Sequence, residues 1–234
     1  MSQFVHLHLH SQYSLLDGAN RLDDVIAAAA AAGMPALALT DHGNLFGAID
    51  FYSRAKAAGV KPILGIEAYV AQGSRLDRQS GKGASNHLVL LARNETGYRN
   101  LLKLTSASFL EGFYYKPRID KELLRRHAEG LIGLSACLKG EINEHIMARR
   151  EREAEATACE LRDILGAGNF FLELQDHGIA EQRLANDVLR RIAGRTGIPL
   201  VVTNDSHYTE QADSDAHDAL LCIQTGSQMS DPDR

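Results

Sequence analysis

An α/β fold whose strands close into a barrel is the architecture the sequence predicts, and three observations predict it. Short apolar runs alternate with longer amphipathic stretches along the 234-residue chain, the pattern of strands joined by helices. Several of the runs are continuously apolar, as in parallel strands covered on both faces. Residues of metal-binding type follow one strand after another, and the first and last strands carry matching pairs of them. An open, doubly wound sheet satisfies the first two observations as well. The third favours a barrel, because closure sets first and last strands side by side and gathers such residues at the C-terminal mouth.

The elements follow in order. Residues 4–9 (FVHLHL) alternate in and out and read as the first strand. A helix over 21–32 has Leu22, Val25 and Ile26 as its apolar stripe. Asn20 with Asp23 is its expected cap, and Gly33 ends it. Residues 36–40 (ALALT) are the second strand, followed by a helix over about 45–58 that Gly59 closes. Residues 62–66 (PILGI) and 87–92 (HLVLLA) are strands three and four. A helix over 95–110 starts at a cap on Asn94. Residues 131–135 (LIGLS) are strand five. A charged helical stretch over 141–165 is one helix or two. Residues 170–174 (FFLEL) are strand six, 180–193 a helix, 199–203 (PLVVT) strand seven, and 213–224 a last helix.

Composition narrows the classes. Hydrophobic residues make up 44% and charged residues 24%, ordinary for a globular domain with a sizeable core. The formal net charge is -5, so tight non-specific binding of nucleic acid by the bare chain is not expected. Cys137, Cys159 and Cys222 are odd in number and far apart, which argues against a disulfide framework and for a reducing, cytoplasmic setting. Histidines interrupt the first ten residues, so no signal-peptide core is expected. No apolar run reaches membrane-spanning length.

The chemistry collects at the strand ends. Strand one carries His8 and His10, and Asp17 lies in the turn after it. Strand two ends in Thr40-Asp41-His42 and strand three at Glu67. Strand four opens with His87, strand five leads to Cys137, and strand seven ends in Asn204-Asp205-Ser206-His207. Imidazole, carboxylate and thiol together are ligands for Zn, Mn or Fe. Two-residue spacing on a strand points both side chains to one face, so His8/His10 and Asp205/His207 can each grip one ion. Taken singly these residues have plainer readings: a core histidine, a turn aspartate, a small buried cysteine.

Other polar residues are assigned elsewhere. His6 shares the face of His8 but lies nearer the other end, as a barrel-interior residue or one behind the ligands. His127, His145, His177 and His217 read as surface groups, and Cys159 and Cys222 as buried. Asp41 is placed to orient the ligand beside it. The stretch FYYKPR mixes aromatics with Lys116 and Arg118, which could stack on bases and touch phosphate. Packing of this loop on neighbouring protein is the more ordinary alternative.

The runs FVHLHLHSQYSLLDGA, ALALTDHGNLFGA, KPILGIEAYV, NHLVLLARNETGYRNLLKL, FYYKPRID, LIGLSACLKGE and PLVVTNDSHY span nearly the whole chain. Together they resemble the polymerase and histidinol phosphatase (PHP) domain. SLLDG, ETGYRNL and SACLKGE narrow the resemblance to the N-terminal PHP domain of bacterial DNA polymerase III alpha subunits. The resemblance implies a distorted (β/α)7 TIM-like barrel with a trinuclear metal site at the C-terminal ends of the strands. Its nine-ligand pattern falls on His8, His10, Asp17, His42, Glu67, His87, Cys137, Asp205 and His207, with no position departing. Three divalent ions (Zn, Mn or Fe) would be held. Asp205, His207 and Glu67 are the expected catalytic residues, and Lys116 and Arg118 the expected substrate contacts.

The resemblance also implies an activity, 3′–5′ exonuclease hydrolysis of DNA phosphodiesters by a metal-activated hydroxide. A phosphomonoesterase or pyrophosphatase acting on a small substrate is one alternative. A non-catalytic, metal-stabilised scaffold is the other. The partners implied are a DNA 3′ end, the remainder of the alpha subunit and replisome proteins. Residues 1–234 are expected to be a single domain, excised or stand-alone, with about 226–234 a linker toward a polymerase core. Three ligand carboxylates and one thiolate carry about -4 against about +6 from three divalent ions, leaving the filled pocket positive by about two charges.

Overall fold

A computed structural model describes residues 4–78 and 84–231 of the chain. Its strands are β1 (Ala36–Leu39), β2 (Lys61–Ala71), β3 (Ser85–Ala92), β4 (Arg118–Ile119), β5 (Leu131–Leu134), β6 (Phe170–Leu174) and β7 (Leu200–Val202). The helices are α1 (Leu22–Ala31), α2 (Ala48–Ala57), α3 (Glu95–Leu110), α4 (Lys121–Arg126), α5 (Glu141–Met147), α6 (Glu151–Leu165), α7 (Ala180–Thr196) and α8 (Ser214–Thr225). The strands form one curled sheet in the order β1-β2-β3-β5-β6-β7, with β4 paired to β2. No helix among the described residues is long and apolar enough to cross a membrane.

The expected first strand is extended chain that closes the curl. Ala38 N donates to His6 O and Thr40 N to Leu9 O on the β1 side. On the β7 side His10 N donates to Ser206 O and Ser206 N to His8 O, with Leu9 bridging Ser206 in parallel. Residues 6–10 therefore join both edges of the sheet, and the barrel expected from the matching histidine and aspartate pairs is the fold observed.

The expectation of uniformly parallel strands is corrected. β2 pairs β3 antiparallel, and β3 pairs β5 antiparallel. Parallel neighbours need a crossover, usually a helix, and no predicted helix separates strands three and four. β2 is also much longer than predicted, so Glu67 lies inside it and not at its end. The strand changes partners there: residues 61–64 pair with β1, while Gly65 onward pairs with β3. The reversal of β3 explains why His87, near the start of its strand, reaches the same mouth as residues at the ends of others.

Capping and turn chemistry set the remaining boundaries. Asn94 caps α3 as expected, its side chain accepting from Gly97 N at 3.0 Å. Asp120 caps α4, accepting from Leu123 N at 2.8 Å; neither β4 nor α4 was predicted. The cap on α1 is corrected. Arg21 occupies that position without a side-chain bond, because Asn20 is engaged elsewhere: its Nδ2 donates to His10 O and Ser206 O. α2 begins only at Ala48, since Asn44 holds residues 42–46 in a turn through His42 O, Tyr13 O and Phe46 N. The charged stretch is two helices, α5 and α6. Of the expected tail at 226–234, residues 232–234 lie outside the described residues, and Gly226 ends α8 in a left-handed conformation.

Burial follows the same plan. One core joins the sheet to α3–α7, through residues such as Leu90, Leu101, Leu104, Phe170 and Leu189. A second joins α1 and α2 to β1, around Phe51, Leu37 and Ile26. A third, with Ala38, Val89, Leu91 and Leu134, fills the barrel interior. Each fully buried leucine or phenylalanine contributes about 1.5–3 kcal/mol, and this packing fixes the strand ends that carry the polar cluster.

Candidate metal centre

Glu67, buried at 1% exposure, is the hub of that cluster. Its Oε1 lies 3.2 Å from His8 Nε2 and 3.0 Å from His87 Nδ1. Its Oε2 lies 3.5 Å from His10 Nε2 and 2.8 Å from His42 Nδ1. Asp205 faces it from the last strand's end, with Oδ1 3.2 Å from both His8 Nε2 and His10 Nε2. Asp17 Oδ2 is 3.0 Å from His42 Nε2. Cys137 Sγ is 3.9 Å from His87 Nδ1 and 4.0 Å from Glu67 Oε1. The His207 ring stacks on His10, centroids 4.3 Å apart. All nine residues expected as ligands thus meet at one mouth.

Local backbone geometry places them. His8 and His10 flank Leu9, whose side chain enters the α1/α2 core, so both imidazoles turn to the barrel interior. Asp205 sits at φ 48°, a left-handed conformation that aspartate tolerates better than most residues and that is found at functional sites. The chain turns there immediately beyond β7, and Ser206 still bridges to Leu9.

The protons on the two buried histidines show what the cluster can hold. His8 Nδ1 donates to Glu173 Oε1 at 2.7 Å. Ser14 Oγ donates to Asp41 at 2.8 Å and lies 3.0 Å from His10 Nδ1, so it accepts from that nitrogen. A proton on each Nδ1 leaves the two Nε2 atoms, 3.1 Å apart, facing two carboxylates, where a metal cation or a second proton balances the charge. Without metal, burial lowers the His8 pKa, but Asp205, Glu173 and Glu67 outweigh it and hold it well above its usual value. Asp205 Oδ1, Asp17 Oδ1 and His42 Nδ1 are buried without a hydrogen-bond partner among the described residues, although Asp205 Oδ1 and His42 Nδ1 lie close to opposite charges. These contacts are near but not aligned for hydrogen bonding, as expected of ligands around an ion. Three overlapping triads have their donor atoms within 4.8 Å of one another: His8/His10/Glu67, His42/Glu67/His87 and His10/His42/His207. The residues fit divalent metal.

The ionisation of the bare site agrees. Burial raises the pKa of Glu67, but His87, His8 and His42 outweigh it and hold the carboxyl well below its usual range. Asp205 is lowered in the same way, burial being overcome by His8 and His10. Burial lowers His42, yet Glu67 and Asp17 push it up to about 10. Burial and neighbouring His42 take His10 down to about 3. Burial, with Glu67 and Asp205, pushes the Cys137 thiol far up. The site draws in positive charge, and metal binding would release protons.

Residues 6–177 match the PHP domain. The chain belongs to the PHP domain family. It is 53% identical over 233 residues to the DNA polymerase III subunit alpha of Treponema pallidum and 52% identical over 237 residues to that of Thermus aquaticus. Each alignment covers 99% of this chain but only 20% and 19% of the relative, so the chain spans about a fifth of the length of the relatives it matches. Among solved structures, one assigned as a metal-dependent phosphoesterase from Bifidobacterium adolescentis shares the fold with a TM-score of 0.55 at 15% identity, covering 89% of both chains. An amidohydrolase from Chromobacterium violaceum shares it with a TM-score of 0.51 at 16% identity, covering 87% of both.

In this PHP domain the side chains behind the ligands were the least legible. Glu173 is fully buried and accepts from His8, Gln175 and Thr203. A lone acid inside the apolar run FFLEL was its signal. Asp41 acts on His10 through Ser14 and also accepts from Ser11 N at 2.7 Å. Were three divalent ions held, counting these two buried acids as ionised would bring the expected charge of the filled pocket from about +2 to about neutral. His217, expected at the surface, is partly buried with its ring 5.7 Å from His207. His6 is half-buried against Phe4, away from the ligands. Cys222 is buried as expected and Cys159 only partly.

Arg118 is corrected outright. It is 1% exposed, and its guanidinium donates to Gly112 O, Arg75 O and Asp77 O. Its place in β4, paired with Tyr69, turns it inward as a structural brace. Lys116 points the other way, its Nζ 4.3 Å from the Tyr69 ring centroid. Burial lowers the pKa of Lys116 while Asp17 and Glu67 raise it, which places the amine within reach of the cluster's field. A cavity of about 780 Å³ opens at the opposite end of the barrel, lined by apolar residues such as Leu7, Leu91 and Phe171. None of the clustered ligands lines it, and it plays no part in this chemistry.

Proposed function

We propose that this PHP domain is a metal-dependent phosphodiesterase that removes nucleotides from a DNA 3′ end. The observation that carries the reading is the convergence of nine ligand-type side chains on one mouth, with the outer nitrogens of His8 and His10 already bonded to Glu173 and Ser14. The relatives named as DNA polymerase III alpha subunits support DNA as substrate, and the phosphoesterase neighbour supports the reaction class. His8, His10, Asp17, His42, Glu67, His87, Cys137, Asp205 and His207 would hold three divalent ions, of Zn, Mn or Fe type. Those ions would supply Lewis acidity toward a phosphoryl group and acidify a water at neutral pH.

The protein's part is orientation and proton management. Glu173 and Ser14 fix the tautomers of His8 and His10. Glu67, buried among the imidazoles of His8, His10, His42 and His87, would hold metal at the centre of the site. Asp205 Oδ1 lacks a hydrogen-bond donor among the described residues and would stand beside the attacking water. His207, at the rim, would lie on the side of the leaving 3′-oxygen. No serine or cysteine stands as a separate nucleophile.

The test is hydrolysis by the metal-loaded chain of 5′-labelled single-stranded DNA beside a nitrophenyl phosphate monoester. A ladder of products shortened from the 3′ end is expected. Cleavage of the monoester alone would replace the reading with a small-substrate phosphatase. Metal-dependent folding without hydrolysis would replace it with a scaffold role for a replicative polymerase.

A further inference from the structure

The metal mouth is bordered on one side by an uncovered aromatic track. Phe46 follows His42 by four residues and is tied to that loop through Asn44. Its ring is 6.1 Å from Phe109, and Phe109 stacks on Phe113 at 6.2 Å. Phe46 is 60% exposed, Phe113 47% and Tyr115 65%. Lys116, three residues beyond Phe113, lies over Tyr69, whose ring is 5.8 Å from His42 and 5.2 Å from His87. Pro117 and Tyr69 close around Gly43, the residue after His42, so this loop is seated against the ligands themselves. Lys116 makes no ion pair among the described residues.

Charge gives the track a use. With Glu173 and Asp41 counted, a metal-filled pocket is near neutral and offers little net attraction to a polyanion. A free ammonium at the rim then becomes a principal local attraction for phosphate, and exposed rings beside it have a π-face for any base. A small monoester would need neither. A base-paired end would present no free base faces to the rings. We infer that Phe46, Phe109 and Phe113 stack the unpaired bases of a single-stranded substrate while Lys116 holds a backbone phosphate beside the scissile one. This rests on the phosphodiesterase reading and adds to it strand selectivity and the residues that read it.

The experiment is anisotropy of a labelled single-stranded oligonucleotide whose linkages resist hydrolysis, titrated with metal-loaded chain at several salt concentrations. Lys116→Ala should weaken binding and lower the slope of log K against log salt by about 0.7, one phosphate contact to a single strand. Phe113→Ala should weaken binding about 5- to 100-fold, the range of one base stack, and leave the salt slope in place. Lys61→Ala, at the opposite end of β2, should change neither. A duplex of the same sequence should bind more weakly than the single strand, and Phe113→Ala should not affect it. Nuclease activity with binding and slope unchanged in both variants would overturn the inference while leaving the function standing, and would assign the rings to a protein partner. Failure of the unmodified chain to bind the single strand at all would overturn both.

Discussion

An imidazole ligates only through a nitrogen that has given up its proton to the other side of the ring, so the groups behind His8 and His10 matter as much as the rings. Glu173 is the acceptor that holds the His8 proton on Nδ1. Glu173→Gln keeps the shape but can turn an N–H toward His8, and metal affinity should fall about 10- to 100-fold; titration with Zn or Mn followed by calorimetry measures it. Unchanged affinity would show that the tautomer is set by other means. Asp205→Asn should reduce phosphodiester hydrolysis by orders of magnitude while circular dichroism shows an unchanged fold. At this scale the sequence exposed every ligand-type residue, because pairs such as His8/His10 stand out against apolar strands. It exposed the supporting residues less well: Asp41 was placed as an orienting group, but Ser14, which links it to His10, resembles an ordinary turn residue until the fold brings them together. Arg118 was misread because a cation beside aromatics looks the same whether it faces solvent or three backbone carbonyls.

The elements hold the ligands in place through caps and close contacts. Asp120 caps α4 and accepts from Arg75 N and its guanidinium. Burial raises its pKa, but the backbone N–H groups of Arg75 and Leu123 and the Arg75 charge outweigh that and hold it below the usual range. A depressed carboxyl stabilises the fold in full above its unfolded pKa of about 3.9 and loses that stabilisation as pH falls through the folded value. Asp120→Asn should therefore cost about 1.5–3 kcal/mol at neutral pH, with the difference shrinking below about pH 4; urea melts across pH measure it. A second contact tests the packing of α3. A Cβ on Gly97 would lie 1.9 Å from Gly130 O, so Gly97→Ala should cost about 1–3 kcal/mol or more. Helix positions were legible because their periodicity is local. Strand directions were not, since β3 takes its direction from a connection and its partners, and apolar runs read alike in either direction.

Across the whole molecule the barrel is closed by residues 6–10, the same short segment that carries two ligands. The backbone bonds of this segment close the barrel, and ions held by His8, His10 and Asp205 would reinforce that closure by tying the segment to the turn after β7. Chelation should lower the melting temperature, by the equivalent of about 2.7 kcal/mol for each ion held at a hundredfold its Kd, and re-addition of metal should restore it. The closed architecture was foreseeable from the ligand pairs on the first and last strands, a whole-molecule signal carried by a few residues. The buried acid Glu173 was not, and together with Asp41, expected only to orient the ligand beside it, it lowers the charge expected of a filled site. Elemental analysis of metal per folded chain after gentle purification, repeated for Glu67→Gln, decides whether the nine side chains hold ions. Close to three divalent ions per chain are expected, with a marked loss in the variant. One ion or none, even after loading with Zn and Mn, would contradict that expectation.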